Sequence, residues 1–574
     1  MFPKIQNRPR LHRFCNTLVS TIMILILSFL FYLSIFGSSM FNAYIGDETT
    51  VYLTDQPFLH LSAIFLIFLS GYLLFLHPHI TTRIFAVMQN PHFLLMIHIP
   101  VTILMLIAIF ICRYQPVSDQ FNCLYSAAYL LEGNYFSWET AGYLYIYPSL
   151  NGLTLLCVPF IALFGAEGGA VAFQVFNLVM LLMASYSLYR FCKTVGFNGP
   201  SVSLLFILYL PMTLYCFFVY GNMSSLSLSI LSLWKIADFL KEKHIKDAVY
   251  SAAALTAACL LKETAIIPLI AILIILVVSA VIQKQPKLLL LLSVYLIFLY
   301  GGNLAVNLTI EGITHEEVSP GLKYYGRLTM GISEGERADG WYNSYTINLL
   351  KDCGYDLDLY AAESEDAFWQ HARDFWSSPS YFIPFLARKT ASQWNNPTFQ
   401  SLWIQQQMLR RNPPYGGFEA RTPEFLCLDG SPANMIFYFI FNLMQSIILF
   451  GSLCFFLFDA KKVSLTSLLP AVTFIGGFLF LFFWEAKAQY TILFFVLLFP
   501  YSVSGYPAFL RRLINLKGNR SWYRSKEGIF LGILLGSILL LSITDTAPIN
   551  DTIKLGRADQ TAFYHYYLQQ NSHN

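Results

Sequence analysis

The sequence contains few charged residues. Only 12% of its 574 residues are Asp, Glu, Lys or Arg, whereas 56% are hydrophobic. A soluble protein cannot remove that much apolar surface from water, so the composition excludes an ordinary soluble domain. The formal net charge of +3 is small and the basic residues are scattered in short clusters. This excludes the basic patch that a nucleic-acid partner would require.

Recognisable metal-binding patterns are also lacking. The ten cysteines show no paired spacing of the zinc type, and most lie in apolar runs, where cysteine behaves as a small hydrophobic residue. His77 and His79 lie at the edge of an apolar run, where polar interface residues are the simpler interpretation. We expect no cofactor and no bound metal, and the sequence leaves a requirement for a divalent metal open.

Long apolar runs make up most of the chain. A membrane-spanning helix needs roughly 20 mostly apolar residues, and such runs recur from residue 17 to residue 543. Placing the basic clusters in the cytoplasm satisfies the positive-inside rule. This predicts an all-α polytopic membrane protein with a cytoplasmic N-terminus, an external C-terminus and about thirteen spans, at 17–37, 57–76, 92–112, 168–189, 201–220, 222–239, 247–261, 265–282, 289–309, 432–457, 464–484, 488–507 and 527–543.

Residues 148–164 form a further apolar run that breaks this alternation. Counting it as a full crossing would move Arg190 and Lys193 to the outside. We therefore predict an interfacial or re-entrant helix on the outer face, because irregular backbone at membrane depth is tolerated only against protein or a water-filled cavity. The choice between a spanning and a re-entrant segment stays open.

The runs divide the chain into four parts. Residues 1–309 form an N-terminal transmembrane module with a large external loop at 113–147. Residues 310–431 form a small extracellular cap segment, 432–543 the C-terminal transmembrane helices, and 544–574 an external tail. The clearest helix signal in the cap segment is 364–376, with Ser364 as the predicted N-cap.

Asp119 lies at the start of the large external loop. An arbitrary loop aspartate is usually a helix cap or a solvated residue. Here the residues that follow are aromatic and amphipathic, and such rings prefer the headgroup level of a bilayer. A carboxylate at that level could act as a general base toward an acceptor hydroxyl or amine. Asp119 is therefore the candidate catalytic residue.

Lys262 and Glu263 lie between two apolar runs, in CLLKETAIIP. An ionisable pair in such a place is costly and indicates a functional site. The alternative is that the lysine extends from a helix end to the membrane surface and pairs with its neighbour. In the functional interpretation, Lys262 binds a phosphate or diphosphate as a point charge.

Two further segments offer charged groups on the external side. In WEAKAQY, residues 484–490, Glu485 and Gln489 share one helical face, as do Lys487 and Tyr490, so a polar stripe could face a cavity. An ordinary external turn is the alternative. In the cap segment, a glycine-rich stretch contains arginines that could clamp a phosphate, although it could also consist of simple turns; these arginines are Arg327 and Arg337.

Together these segments resemble the GT-C superfamily of membrane glycosyltransferases. The motifs are the loop of Asp119, YLYIYPSLNG, KET at 262–264, WEAKAQY, and in the cap segment MGISEGERADGWYN and KTASQWNNPTFQSLW. The closer similarity is to the family 39-like enzymes of Gram-positive bacteria, which are similar in arrangement to protein O-mannosyltransferases and the lipid A aminoarabinose transferase. The resemblance covers nearly the whole chain and depends on the order and sidedness of the motifs.

The resemblance implies a GT-C-like bundle that transfers a hexosyl or pentosyl group from a polyprenyl-phosphate donor. The acceptor would be an envelope glycan, lipid or protein on the outer face of the cell membrane, and membrane lipids would surround the enzyme. Asp119, in the catalytic loop 113–147, would be the general base. The residues implied for binding the donor phosphate or lipid are Lys262, Arg327, Arg337, Lys487, Tyr145 and Tyr147, with Glu263, Glu485, Gln489 and Tyr490 in support.

The chain departs from the family at two positions. Relatives often carry Glu followed by an Arg–Tyr pair, where this chain has Gln489–Tyr490. A phosphate contact made by that arginine would have to come from Lys487 or from elsewhere. In addition, no acidic residue is adjacent to Asp119, unlike in the mannosyltransferases.

Two other functions remain as alternatives. A transporter or flippase for a lipid-linked glycan would share the apolar composition and the buried charges, but such proteins typically show repeated halves and charges near mid-membrane. A noncatalytic protein of envelope assembly is the second alternative. The sequence leaves the sugar, the acceptor and the oligomeric state open.

Overall fold

The computed structural model of the protein describes residues 10–42, 49–335, 337–410, 432–514 and 525–544. The predicted external tail lies almost entirely outside these residues. Helices dominate, and in chain order they are α1 (Arg10–Phe36), α2 (Pro57–Leu76), α3 (Pro78–Gln89), α4 (Pro91–Cys112), α5 (Asp119–Leu131), α6 (Tyr143–Ile146), α7 (Asn151–Val195), α8 (Gly199–Leu208), α9 (Leu210–Leu214), α10 (Asn222–Glu242), α11 (Ile245–Leu261), α12 (Ile266–Gln283), α13 (Leu290–Thr314), α14 (Tyr325–Gly331), α15 (Tyr345–Asp352), α16 (Leu357–Ser377), α17 (Pro379–Trp394), α18 (Trp403–Arg410), α19 (Pro432–Phe458), α20 (Leu469–Phe483), α21 (Ala488–Phe495), α22 (Phe499–Ile514) and α23 (Lys526–Thr544).

Within the described ranges, ten helical segments are long and apolar enough to cross a membrane. An eleventh arises if the pair Gly199–Leu208 and Leu210–Phe217, bent by 59°, forms one span. The chain is therefore a helical, multi-pass membrane protein. The predicted count of thirteen is not confirmed, because α11 has only 17 residues and α23 is not among the ten.

The apolar run at 148–164 is helical and continues into the next helix. A single long element, α7, covers both, but Gly165 interrupts it with φ 70° and ψ 177°. Only glycine adopts this backbone conformation readily, so the break separates two helices that differ in direction. The sequence correctly separates 148–164 from 168–189, and its re-entrant or spanning nature stays a prediction.

A β-hairpin is the one departure from a purely helical fold within the described residues. Strand β1 (Gly37–Asn42) pairs antiparallel with β2 (Thr49–Thr54). The second strand, TTVYLT, is rich in β-branched residues, which favour strands. The hairpin contacts the cap segment, where the Ser39 N–H donates to the carbonyl of Asn395 at 2.9 Å. The region between the first two spans thus supports the cap.

The cap segment carries helices α14 to α18. The predicted start of a helix at Ser364 is wrong, because α16 begins at Leu357 and is capped by Asp356. The Asp356 carboxylate accepts hydrogen bonds from the N–H groups of Asp358 and Leu359, at 2.9 and 3.0 Å. Both residues are good caps, and the earlier one adds two helical turns.

Two groups of helices form the membrane part. In the first, α10 packs between α7 and α11, and in the second, α19 packs between α1 and α22. One large apolar cluster joins residues of both groups. The cap segment lies at the ends of α13 and α20, and this arrangement encloses the site described next.

Candidate functional site

A cavity of about 1230 Å³ lies where the loop of Asp119, the cap segment and several helix ends meet. Aromatic rings, apolar side chains and charged groups all contribute to its walls. Of the eleven residues that the sequence selects, nine line this cavity, namely Asp119, Tyr147, Lys262, Glu263, Arg327, Arg337, Glu485, Lys487 and Tyr490. Segments separated by more than 300 positions in the chain thus contribute to one site.

Two of the selected residues do not line the cavity. Tyr145 packs instead in an apolar cluster with Ile146 and Leu322. Gln489 is buried, and its N–H donates to the side-chain oxygen of Gln400 at 3.3 Å. Neighbouring residues on a helical turn point in different directions. Tyr147 and Tyr490 therefore face the cavity, whereas their near neighbours Tyr145 and Gln489 do not.

Asp119 is the first residue of α5 and is exposed to the cavity. Its carboxylate accepts a hydrogen bond from the Tyr143 hydroxyl at 3.0 Å. Burial, together with the charge of Asp119, raises the pKa of Tyr143 well above its usual value, so the phenol remains a donor. Asp119 therefore presents an accessible carboxylate to the cavity.

The start of α5 is firmly anchored. The neighbouring Gln120 is buried, and its side-chain oxygen accepts a hydrogen bond from the Val219 N–H at 2.9 Å. Ser118, directly before Asp119, has φ 54°. Positive φ in a non-glycine residue is strained and persists only where the surroundings impose it. The fold thus fixes where the carboxylate of Asp119 points.

Lys262 lies in the turn between α11 and α12 and is only 8% exposed. Its ammonium lies 4.6 Å from the ring centroid of Tyr220 and 5.2 Å from that of Tyr490. Burial, with the charge of Lys487, lowers the pKa of Lys262 to about 8, and Asp119 acts in the opposite direction. In the described parts of the chain, no carboxylate lies within ion-pair distance of this ammonium.

A close backbone approach places Lys262 between these rings. A side chain at Gly221 would collide with the carbonyl oxygen of Leu261. Glycine therefore lets the turn that carries Tyr220 contact the end of α11.

Arg327, on α14, connects the cap segment to three other segments. Its guanidinium lies over the rings of Tyr147 and Trp484, at 5.3 and 5.5 Å from the centroids. One of its nitrogens lies 3.5 Å from a carboxylate oxygen of Glu263. The structure thus pairs Glu263 with Arg327, and among the described residues Lys262 forms no ion pair with its neighbour Glu263.

The remaining charged residues of the cavity wall lie next to aromatic residues. The Lys487 ammonium is 5.9 Å from the ring centroid of Trp403, and the Arg337 guanidinium is 5.8 Å from that of Tyr342. Glu485 accepts a hydrogen bond from the Tyr490 hydroxyl at 3.4 Å. Basic groups therefore alternate with aromatic faces, an arrangement that suits anionic ligands with apolar or sugar-like parts.

Sequence reasoning did not assign several aromatic members of the wall. Tyr143, Tyr220, Tyr342 and Trp403 all line the cavity. Each of these residues flanks an apolar run or lies in the cap segment. An aromatic residue on the external side and next to a charged motif is therefore the sequence signal that could have identified them. In the described residues, no three His, Cys, Asp or Glu side chains converge as a metal site would require.

Comparison with protein-family models and with curated proteins gives no match for this chain. The fold and the site therefore define its class by themselves: a multi-pass helical membrane protein with a charged, aromatic-lined cavity beneath a cap segment.

Proposed function

We propose that the protein is a membrane glycosyltransferase of the GT-C type. It transfers a sugar from a polyprenyl-phosphate donor to an envelope glycan, lipid or protein on the outer face of the cell membrane. The observation that carries the proposal is that an accessible carboxylate, Asp119, lines the same cavity as Lys262 and a stacked arginine, Arg327. Lys262 is buried and forms no ion pair with a carboxylate among the described residues.

The cationic side of the cavity receives the donor phosphate. Lys262 supplies a point charge, and Arg327 supplies a planar donor group. Hydrogen bonds between charged partners are shorter and stronger than neutral ones, so both side chains hold the phosphate and its developing charge. Lys487 and Arg337 lie at the same cavity and extend this cationic surface.

The apolar side of the cavity receives the isoprenoid chain. Ile266 on α12, Leu299 and Val306 on α13, and Phe480 on α20 line it. These helices belong to membrane-spanning segments, so a lipid-linked donor would reach the cavity from the bilayer. In this topology the cavity, the loop 113–147 and the cap segment are external, and the N-terminus is cytoplasmic.

The reaction is a single displacement. The acceptor oxygen attacks the anomeric carbon of the sugar, and its proton passes to the carboxylate of Asp119. The bond between that carbon and the phosphate oxygen breaks, and its electron pair leaves on the polyprenyl phosphate, next to Lys262 and Arg327. Positioning and charge neutralisation therefore provide most of the catalysis. The displacement inverts the anomeric centre, and NMR of the product showing retained configuration would rule this step out.

The test uses membranes that contain wild type or Asp119→Asn, supplied with a radiolabelled polyprenyl-phosphate sugar pool. We expect the wild type to label an envelope fraction and Asp119→Asn to lose this labelling at equal protein level. Glu139→Gln is the matched control, because Glu139 is an exposed acid that follows α5 and is not part of the cavity wall. If Asp119→Asn labels the envelope fraction as strongly as wild type and Glu139→Gln do, the catalytic assignment of Asp119 is removed. That result would favour a transporter or an assembly protein.

A further inference from the structure

Lys389 is a buried lysine outside the cavity. It lies on α17 of the cap segment and is 1% exposed. Its ammonium donates to the carbonyl oxygens of Phe482 and Trp484, at 3.0 and 2.7 Å, and to that of Gly331. The ammonium group has three N–H donors, and all three have backbone acceptors.

The three carbonyls belong to the ends of two helices. Gly331 ends α14, the helix of Arg327, and Phe482 and Trp484 lie at the end of α20. The last carbonyls of a helix have no partner within the helix, and its C-terminus carries a partial negative charge. Lys389 thus donates hydrogen bonds to carbonyls at the C-terminal end of α14 and at the C-terminal end of α20. These bonds fix the two helices to each other.

Two glycines make this contact possible. A side chain at Gly331 would collide with the carbonyl oxygen of Phe483, and one at Gly340 would lie 2.9 Å from the Lys389 side chain. Gly340 also has φ 73°, and its carbonyl accepts a hydrogen bond from the Ala486 N–H at 2.7 Å. The glycine-rich stretch of the cap segment is therefore a packing surface for residues 484–487.

This contact leads directly to the cavity wall. Trp484, whose carbonyl Lys389 holds, lies against the Arg327 guanidinium, and Arg327 lies one helical turn before Gly331. We propose that Lys389 is a positioning residue of the site: it holds α14 and residues 484–487 together, so that Arg327, Trp484 and Lys487 keep their places at the cavity. The kinetic consequence rests on the proposed transferase function, whereas the structural consequence does not.

The charge of Lys389 is sensitive to pH. Burial lowers its pKa to about 7, and Asp339 and Glu485 act in the opposite direction. Asp339 is itself paired with Arg388 at 2.5 Å. A neutral amine has two N–H donors for three carbonyls, so the contact weakens as the pH rises through about 7.

The experiment compares wild type, Lys389→Met and Lys351→Met by hydrogen exchange in detergent. Lys351 is the matched control, because it is an exposed lysine on α15 of the same cap segment. We expect Lys389→Met to speed exchange in peptides covering 484–490, including the amide of Ala486, while α16 keeps wild-type protection. Unchanged exchange at 484–490 in folded Lys389→Met overturns the proposal.

If Lys389→Met does not fold, hydrogen exchange of the wild type at two pH values tests the proposal. The rate of hydrogen exchange, corrected for the intrinsic effect of pH, should increase selectively at residues 484–490 between pH 6 and pH 8.5. A uniform change over the chain overturns the proposal.

In the transfer assay, kcat/KM of folded Lys389→Met should fall on the order of 100-fold, mainly through a higher KM for the donor. If the wild type transfers no sugar, the proposed function fails, and the exchange result still decides the role of Lys389.

Discussion

Replacing Lys262 by Met separates ligand binding from stability. The side chain is 8% exposed and lies between two tyrosine rings. Methionine keeps most of the length and also packs favourably against aromatic rings, so the substitution removes the charge with little change of shape. We expect donor binding to weaken while the fold becomes no less stable.

The magnitudes follow from the surroundings of the ammonium. A hydrogen bond to a charged group contributes about 1.5–3 kcal/mol, which corresponds to a loss of about 10- to 150-fold in affinity for the donor. Burial holds the pKa of Lys262 at about 8 instead of 10.5, which corresponds to about 3 kcal/mol against the charged form. Two cation–π contacts of about 0.5–1 kcal/mol each offset part of this. Below pH 8, Lys262→Met should therefore be more stable by roughly 1–2 kcal/mol.

The pH dependence has a definite sign. Because the pKa in the folded protein is lowered, the folded state binds fewer protons than the unfolded state between about pH 8 and 10.5. The contribution of Lys262 to stability therefore rises with pH across this window, and the advantage of Lys262→Met disappears above it. Binding behaves in the opposite way, because the protonated fraction falls from about 90% at pH 7 to about 10% at pH 9.

The assay is equilibrium binding of a labelled polyprenyl-phosphate sugar in detergent at pH 7 and pH 9. This phosphodiester keeps one negative charge over that range, so only the protein titrates. Wild type should lose up to about tenfold in affinity, and Lys262→Arg, which stays charged, should lose little. Lys323→Met controls for removal of an exposed lysine. Wild-type affinity in Lys262→Met at pH 7 would refute the assignment of Lys262 to the donor phosphate.

Three further predictions concern other parts of the molecule. Asp119→Asn should lower transfer on the order of 100- to 10,000-fold with an unchanged melting temperature, and a loss of less than threefold would contradict a role as general base. Gly221→Ala should destabilise the protein by about 1–3 kcal/mol, because the added methyl group collides with a backbone carbonyl, whereas Gly301→Ala, with nothing within 4 Å, should not; equal melting temperatures would refute this. Burial raises the pKa of Asp55 to about 7, so the folded state binds more protons between pH 3.8 and 7 and its contribution to stability falls as the pH rises; Asp55→Asn should abolish this part of the pH profile of thermal unfolding, and an unchanged profile would exclude Asp55 as its source.

Composition predicts the membrane part of the fold well, because lipid requires long apolar helices. Ten of the predicted spans overlap the ten segments of the structure, although one segment, Pro148–Val195, includes the run 148–164 together with the predicted span 168–189. The bend between α8 and α9, the short α11 and the break at Gly165 depend on packing against neighbours, which hydropathy does not report. The β-hairpin was not predicted, because a single strand of six residues gives a weak sequence signal. Its contact with Asn395 is also long-range, and hydropathy does not report such contacts.

Charged motifs predict the site better than they predict its contacts. The charged residues that the sequence marks between apolar runs, Lys262, Glu263 and Lys487, all line the cavity, and their roles there stay predictions. The sequence could not show that Glu263 pairs with Arg327, 64 positions away, nor that the buried ammonium of Lys389 donates to three backbone carbonyls. Both facts depend on how the cap segment rests on the helices, and that arrangement is a property of the whole fold.

The distribution of partners in the cavity favours a transferase over a transporter. Glu263 lies against Arg327 and Glu485 accepts a hydrogen bond from Tyr490, while the charges of both acids, with that of Asp119, act to raise the pKa of Lys262. The carboxylate of Asp119 accepts only from a phenol among the described hydrogen bonds, and it remains exposed to the same cavity. A displacement at an anomeric carbon requires a proton acceptor on the attacking side and positive charge at the leaving phosphate. A transporter must bind its cargo on one side of the membrane and release it on the other, and a fixed base beside a buried cation would contribute nothing to that release.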